Sequence, residues 1–308
     1  MTAQPTPGRR VAVVTGATGG MGRVIALELA RSGAHVVAIA RDPRRADSLR
    51  DQIEREVGTG HIDVVSGDLS RRDGVIDAAS AVLARHPAVH VLVNNAGAHF
   101  GEHRLSADGV ERHIAVDYLA AYGLTLLLQA ALERGRARVV NVVSDTLRDT
   151  RQVKLLGRPH PVTVTTDELD DLTRLNPADG FVPFQAYARA KLLTVMAGYD
   201  LARTLEDHGV TVNAVHPGIA ATNIIDDLVP PALRPFDGLI RRFMLTPEEG
   251  ASAALRLASD PALAGVTGRY FVRDVDTRTP PVSYDVAAQQ RLRATSDQYF
   301  RPGRPSCR

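Results

Sequence analysis

Val11-Ala12-Val13-Val14-Thr15 runs directly into Gly16-Ala17-Thr18-Gly19-Gly20-Met21-Gly22, and the reading of this stretch decides the fold. The apolar, β-branched run predicts a buried strand. The amphipathic residues 20–32 that follow predict a helix. Glycines between them let the backbone turn tightly and approach a pyrophosphate closely, while the helix start presents free N–H groups and the positive end of its dipole. A plain glycine-rich connection has the same composition. What distinguishes this one is the strand before it, the helix after it and its place near the start of the chain.

The pattern repeats outward from there. Further strands are predicted at residues 35–40, 63–66, 89–94, 138–143, 210–215 and 269–272, with amphipathic stretches between them, such as 108–132 and 184–208. Near-continuous apolar strands alternating with helices imply a parallel sheet covered on both faces. Gly33 and Gly209 stand where left-handed closing residues end helices. Residues 145–183 break the alternation: they are polar and irregular, with Pro159, Pro161, Pro177 and Pro183. A connection that long in a compact domain is an insert with a function or with small elements of its own.

Composition narrows the class. At 308 residues the chain has room for two domains or one large α/β domain, and without a Pro/Gly/Ser linker it reads as one, spanning 1–308. With 44% hydrophobic and 23% charged residues it is neither disordered nor fibrous. Apolar runs fall well short of the roughly 18 residues of a membrane span, so no membrane segment is expected. MTAQPTPGRR at the start has no apolar signal core, and the single Cys307 has no intrachain partner; both fit a cytoplasmic protein. A net charge of +2 with interspersed signs gives no basic footprint for nucleic acid.

Three further places carry chemistry. The second strand ends Ala38-Ile39-Ala40-Arg41-Asp42. An acid at that end binds a free ribose 2′-hydroxyl, whereas a small residue followed by arginine suits a 2′-phosphate, so Arg41 favours NADP(H) over NAD(H). Arg44 and Arg45 either assist it or face water. Tyr187-Ala188-Arg189-Ala190-Lys191 places a phenol and an ammonium at i and i+4 on one helix face. A neighbouring cation favours the phenolate, giving a proton donor or acceptor for a carbonyl/alcohol couple. Of 37 basic residues only Lys154 and Lys191 are lysines, and guanidinium cannot replace ammonium at a tuned site. Finally, Arg138-Val139-Val140-Asn141-Val142-Val143-Ser144 reads as a buried strand with a hydroxyl just past its carboxyl end, the edge where ligands sit in open parallel sheets.

In that order, these pieces make the chain resemble the short-chain dehydrogenase/reductase family over nearly its whole length. The resemblance rests on Gly16/Gly20/Gly22, Gly67-Asp68-Leu69, Asn94-Asn95-Ala96-Gly97, Ser144, Tyr187-x3-Lys191, Pro217-Gly218 and Thr222. Within it, the retinol-dehydrogenase-like branch is most similar, through Val116-Asp117-Tyr118-Leu119, Asp170-Asp171-Leu172, His216-Pro217-Gly218 and Gly265-Val266-Thr267-Gly268-Arg269-Tyr270-Phe271. The resemblance implies a single-domain Rossmann fold of α/β class, a doubly wound seven-stranded parallel sheet with helices on both faces. It implies that Gly16, Thr18, Gly20, Met21 and Gly22 hold the NADP(H) pyrophosphate and that Asp68 and Leu69 flank the adenine. Asn95, Ala96 and Gly97 would lie along the cofactor, and Pro217, Gly218 and Thr222 would cradle the nicotinamide. Ser144 would orient a carbonyl. Tyr187 would transfer the proton, and Lys191 would hold the ribose and lower the tyrosine pKa. Homo-oligomers, dimers or tetramers, are also implied.

One position departs from the family. Asp117 stands where an asparagine usually completes the catalytic set with Ser144, Tyr187 and Lys191. If the relay uses the main-chain carbonyl, aspartate serves equally well; if it uses the amide, aspartate loses two donors and adds a charge.

An apolar segment at 219–247, with Ile224, Ile225, Leu228, Val229 and Phe236, is the family's substrate lid and implies a hydrophobic small-molecule substrate. The same side chains would equally serve packing against a helix or a second subunit. His99, His103 and His113 lack metal-ligand spacing and read as packing residues, so no metal is expected. The leading expectation is a carbonyl reductase or alcohol dehydrogenase. Its rivals are a redox-neutral epimerase or cyclase with bound NADP and a non-catalytic sensor of the nicotinamide cofactor.

Overall fold

The computed structural model describes residues 8–151, 157–218 and 245–300. Eight strands form one sheet: β1 (Val11–Thr15), β2 (His35–Ala40), β3 (Ile62–Ser66), β4 (Val91–Asn94), β5 (Arg138–Val142), β6 (Thr211–His216), β7 (Tyr270–Val272) and β8 (Val275–Asp276). Their order is β3-β2-β1-β4-β5-β6-β7-β8. β1 to β7 pair in parallel, with Val13 opposite Val37 on one side and Leu92 on the other.

The seven-strand expectation is corrected by β8, which runs antiparallel to β7 with Val275 opposite Val272. The reversal occurs at Arg273, whose φ of 55° is left-handed. A strand of two exposed residues has no hydrophobic alternation for a sequence to display.

Both faces of the sheet are covered, and the pleat divides its residues between two cores. Ala12 and Val14 of β1 face α1 (Gly20–Arg31), α2 (Pro43–Glu56) and α7 (Pro247–Ser259), through Ile25, Leu49, Ile53 and Leu257. Val11 and Val13 belong to the other core, with α3 (Arg72–Leu83), α4 (Ala120–Leu127), α5 (Gln129–Gly135), α6 (Pro183–Leu205) and α8 (Val286–Phe300). This two-layer covering explains why the central strands read as unbroken apolar runs.

Residues 108–132 are not one helix. Glu111 precedes a π-helical turn, Ile114–Leu119, which runs into α4. After Leu128 the chain bends by 64° into α5. No glycine or proline stands between Leu124 and Leu132, so nothing in the local sequence marks the break. No single described helix is long and apolar enough to cross a membrane; the bent pair Ile114–Leu127 and Gln129–Gly135 meets that test by length and composition. In this fold Ile114, Leu119, Leu124 and Leu132 of that pair are fully buried in the protein core.

The insert is packed rather than loose. Between short 3₁₀ turns at Asp145–Leu147, Asp167–Asp170 and Leu172–Arg174, Val162, Val164, Leu169, Leu172 and Leu175 are buried in the core that α6 shares. Residues 219–244, which hold Thr222 and nearly all of the expected lid, lie outside the described residues, as does Lys154.

Candidate active site

The sheet order reverses direction between β1 and β4, and a crevice opens past the carboxyl ends of the strands at such a point. Six of the expected site segments follow those ends: Gly16 after β1, Arg41 after β2, Asp68 after β3, Asn95 after β4, Ser144 after β5 and Pro217 after β6.

The first turn is built for backbone approach. Gly16 has φ 63° and Gly20 φ 47°, both left-handed. A Cβ on Gly22 would stand 2.2 Å from the Gly16 carbonyl oxygen and 2.5 Å from Asn95 Nδ2, so only glycine lets the helix start this close beneath the turn. Gly19 caps α1 without a side-chain hydrogen bond, which leaves the first amides of the helix open to an anion. The cradle therefore fits a dinucleotide pyrophosphate, with Thr18 and Met21 partly exposed along it.

Asn95 and Ala96 prop this turn from behind. Their amides both donate to Thr15 Oγ1 at 2.9 Å, and Asn95 Nδ2 donates to the Thr15 carbonyl at 3.0 Å. Asn94 Nδ2 ties β4 to β5 through Asn141 Oδ1 at 2.9 Å.

Past β2, Arg41 is exposed, and among the described residues no acid pairs with it. Asp42 Oδ1 is engaged by the Arg44 and Arg45 amides at 2.9 and 3.3 Å, which caps α2. The acid next to Arg41 thus belongs to the helix, and Arg41 is left exposed past the strand end. Asp68 Oδ1 accepts from the Ser70 amide and hydroxyl at 3.1 and 2.8 Å. Leu69 is half-buried against the core.

The expected tyrosine–lysine pair is carried by α6. Tyr187 and Lys191 are buried at 7% and 3% exposure on one face of the helix, with Lys191 Nζ 5.4 Å from the Tyr187 ring centre. Lys191 Nζ donates to the Val142 carbonyl at 3.3 Å and lies 3.0 Å from Asp117 Oδ1. Burial works against the ammonium charge, yet Asp117 and Tyr187 outweigh it and hold the lysine pKa above its ordinary value. Burial pushes the Tyr187 phenol up; Lys191 opposes this, Asp117 adds to it, and Ser144 opposes it. The lysine acts in the direction expected of it, but in the free protein desolvation prevails. The Ser144 hydroxyl also caps the turn after β5, accepting from the Thr146 amide at 3.4 Å.

Asp117 sits in the π-helical turn, where a wider backbone spacing is common near functional sites. Its Oδ1 accepts the Ala98 amide at 3.1 Å, and its buried Oδ2 has no partner. Burial pushes this carboxyl up despite Lys191 and His113. Its main-chain carbonyl lies 2.8 Å from Thr194 Oγ1, which shares its proton with the Ala190 carbonyl at 2.9 Å. The side chain of Asp117, not its backbone, is thus what meets the lysine. Gly97 passes directly over the pair: a Cβ there would be 2.6 Å from Asp117 Oδ1 and 3.0 Å from Lys191 Nζ.

One network escaped the sequence. His113, fully buried, accepts the Phe100 amide at Nε2 at 3.0 Å, so its hydrogen is on Nδ1, which donates to Glu111 Oε1 at 2.9 Å. Asn176, in left-handed conformation at φ 56°, donates to Glu111 Oε2 at 2.9 Å and to the Ala186 carbonyl at 3.2 Å. This anchors the insert and the start of α6 beneath the tyrosine. His99 stands edge-on to Tyr187 at 6.0 Å and His103 edge-on to Phe181 at 5.1 Å, which are packing positions. Pro217 is buried, and Gly218 has φ 100°.

The profile of a family described as short chain dehydrogenase matches residues 10–153, and that of one described as Enoyl-(Acyl carrier protein) reductase matches residues 176–275. Retinol dehydrogenase 14 of Homo sapiens is 31% identical over 298 residues, covering 92% of this chain and 84% of its own. Polyprenol dehydrogenase of Mus musculus is 33% identical, covering 94% and 82%. The crystal structure of a putative NAD(P)-dependent gluconate 5-dehydrogenase from Beutenbergia cavernae, with bound NADP, superposes with a TM-score of 0.64 at 28% identity, covering 88% of this chain and 98% of that one.

Proposed function

Because the chain belongs to the short-chain dehydrogenase/reductase family, in its retinol-dehydrogenase-like branch, we propose that it interconverts a hydrophobic ketone or aldehyde and its alcohol with NADP(H) as partner. The observation that carries this reading is the placement of buried Tyr187 and Lys191 with half-buried Ser144, with only β4 between the strand that leads to Ser144 and the strand that leads to the glycine cradle. Unpaired Arg41 at the end of β2 supports the 2′-phosphorylated cofactor, as does the NADP bound in the gluconate 5-dehydrogenase relative. The apolar segment around 219–247 supports a substrate bound by burial.

When bound, the dinucleotide supplies or accepts the hydride. The chain's own residues do the rest. Gly16, Gly20 and Gly22 admit the pyrophosphate to the amides of α1. Ser144 donates to the substrate oxygen and sets its position. As that oxygen gains negative charge, the Tyr187 phenol delivers its proton, and the Lys191 ammonium stabilises the phenolate left behind. In the reverse direction the phenolate takes the alcohol proton. Loss of reduced-cofactor absorbance on adding an apolar ketone, with NADPH preferred over NADH, tests the proposal. Absence of turnover across aromatic and aliphatic ketones, aldehydes and alcohols would overturn it.

A further inference from the structure

At the opposite edge of the sheet, where the parallel strands begin, three side chains converge. His35 opens β2, Asp63 is near the start of β3, and His86 lies just past α3. His35 Nε2 is 3.2 Å and His86 Nε2 2.9 Å from the same oxygen, Asp63 Oδ2, and all three atoms lie within 4.8 Å of one another. Both imidazoles are buried, while the Asp63 side chain keeps 26% of its surface exposed and so leaves a path from solvent.

Hydrogen placement makes this cluster unusual. His35 Nδ1 lies 3.2 Å from the Gly60 carbonyl oxygen, which can only accept, so the ring hydrogen is on Nδ1. With the hydrogen on Nδ1, the buried His35 Nε2 turns its lone pair toward Asp63 Oδ2. Two buried ring nitrogens thus converge on one carboxylate oxygen, a donor set that suits a metal ion. A histidine whose outer nitrogen is fixed by a backbone carbonyl is also how metal sites orient their ligands.

We propose that His35, Asp63 and His86 form a binding site for a divalent cation of the zinc class, with the fourth position open to solvent. Two imidazoles and one carboxylate select against magnesium and calcium, which prefer oxygen ligands. Bonds of about 2.0–2.1 Å in tetrahedral geometry set ligand atoms roughly 3.4 Å apart, so the observed gaps open by a few tenths of an ångström around the ion. Arg85, on an exposed side chain 3.6 Å from Oδ1, engages the other carboxylate oxygen. The ion would clip the edge strand β3 to β2 and to the end of α3, far from Tyr187. These three residues are scattered along the sequence, which is why no metal is expected from it; only the sheet brings them together.

The test is to strip the full-length protein with a chelator and titrate it with zinc chloride, following heat of binding and melting temperature. His35→Gln and His86→Gln are treated identically, and the quantity read is the zinc-dependent rise in melting temperature, which is independent of each variant's own stability. The expected result is one equivalent bound, a zinc-dependent rise in the wild type, and an affinity loss of about 100-fold or more in each variant, since losing even a hydrogen-bond partner of a ligand costs about 10- to 100-fold. No binding, or binding retained in either variant, would overturn the site.

Discussion

Lys191 Nζ lies 3.0 Å from Asp117 Oδ1, and Gly97 closes over the pair so tightly that no larger residue fits. The lysine that must favour the Tyr187 phenolate is therefore shared with a buried carboxylate. Burial raises the phenol pKa first, and the Asp117 charge raises it further. Asp117→Asn removes that charge, so the phenol pKa falls. The rising limb of the alcohol-oxidation pH–rate profile, which follows phenol deprotonation, is expected to move to lower pH. The alkaline limb of carbonyl reduction should move the same way. Superimposable profiles would show that the carboxylate does not act on the tyrosine.

Tyr187→Phe keeps the ring packing against His99 and His113 but removes the proton. Turnover is expected to fall by about 100-fold or more, the range that positioned proton transfer contributes. NADPH affinity, measured by fluorescence titration, should stay within about twofold. Residual turnover near wild type would remove Tyr187 from its assigned role.

Gly22→Ala forces a methyl to within 2.2 Å of the Gly16 carbonyl. Overpacking of this kind costs about 1–3 kcal/mol. The turn must shift to relieve it, so NADPH binding should be lost while circular dichroism still reports a folded protein.

Arg41→Ala deletes the exposed cation just past the end of β2. A charge-assisted hydrogen bond contributes about 1.5–3 kcal/mol, so KM for NADPH should rise by about 10- to 100-fold while KM for NADH stays level. Equal changes in both would place the arginine outside the cofactor contact.

The buried pair Tyr118 and Ser296 should respond asymmetrically. Ser296 Oγ donates to the Leu292 carbonyl at 2.7 Å, so in the 2.6 Å contact with Tyr118 the phenol is the donor. Ser296→Ala strands a buried hydroxyl and should cost about 1–3 kcal/mol in urea unfolding. Tyr118→Phe removes only one made bond and should cost about 1 kcal/mol or less. The reverse order would contradict the assigned donor.

Much of this was legible in the sequence, and the divide is physical. The glycine turn, the Tyr187–Lys191 spacing and the strand cores depend on residues adjacent in the chain, where backbone period and local chemistry act directly. The bend at Leu128 is hidden because no glycine or proline stands at it. The tie from Thr194 to the Asp117 carbonyl and the Glu111–His113–Asn176 network join residues far apart in sequence, and no local pattern announces them. The single substitution that mattered most, aspartate for the usual asparagine at 117, was visible at once. What it touches became known only when α6 was placed against the π-helical turn.

The last helix supplies a different kind of consequence. Phe300 fills the space left by Gly123, with ring atoms 2.3 Å from where a Cβ would stand, and Ser296 meets Tyr118 one turn earlier. The helices beneath the reacting tyrosine thus wait for the final stretch of the described chain before their outer surface is sealed. During synthesis, a ribosome-bound chain that ends short of Ser296 leaves an apolar seam uncovered, however complete its glycine turn and sheet.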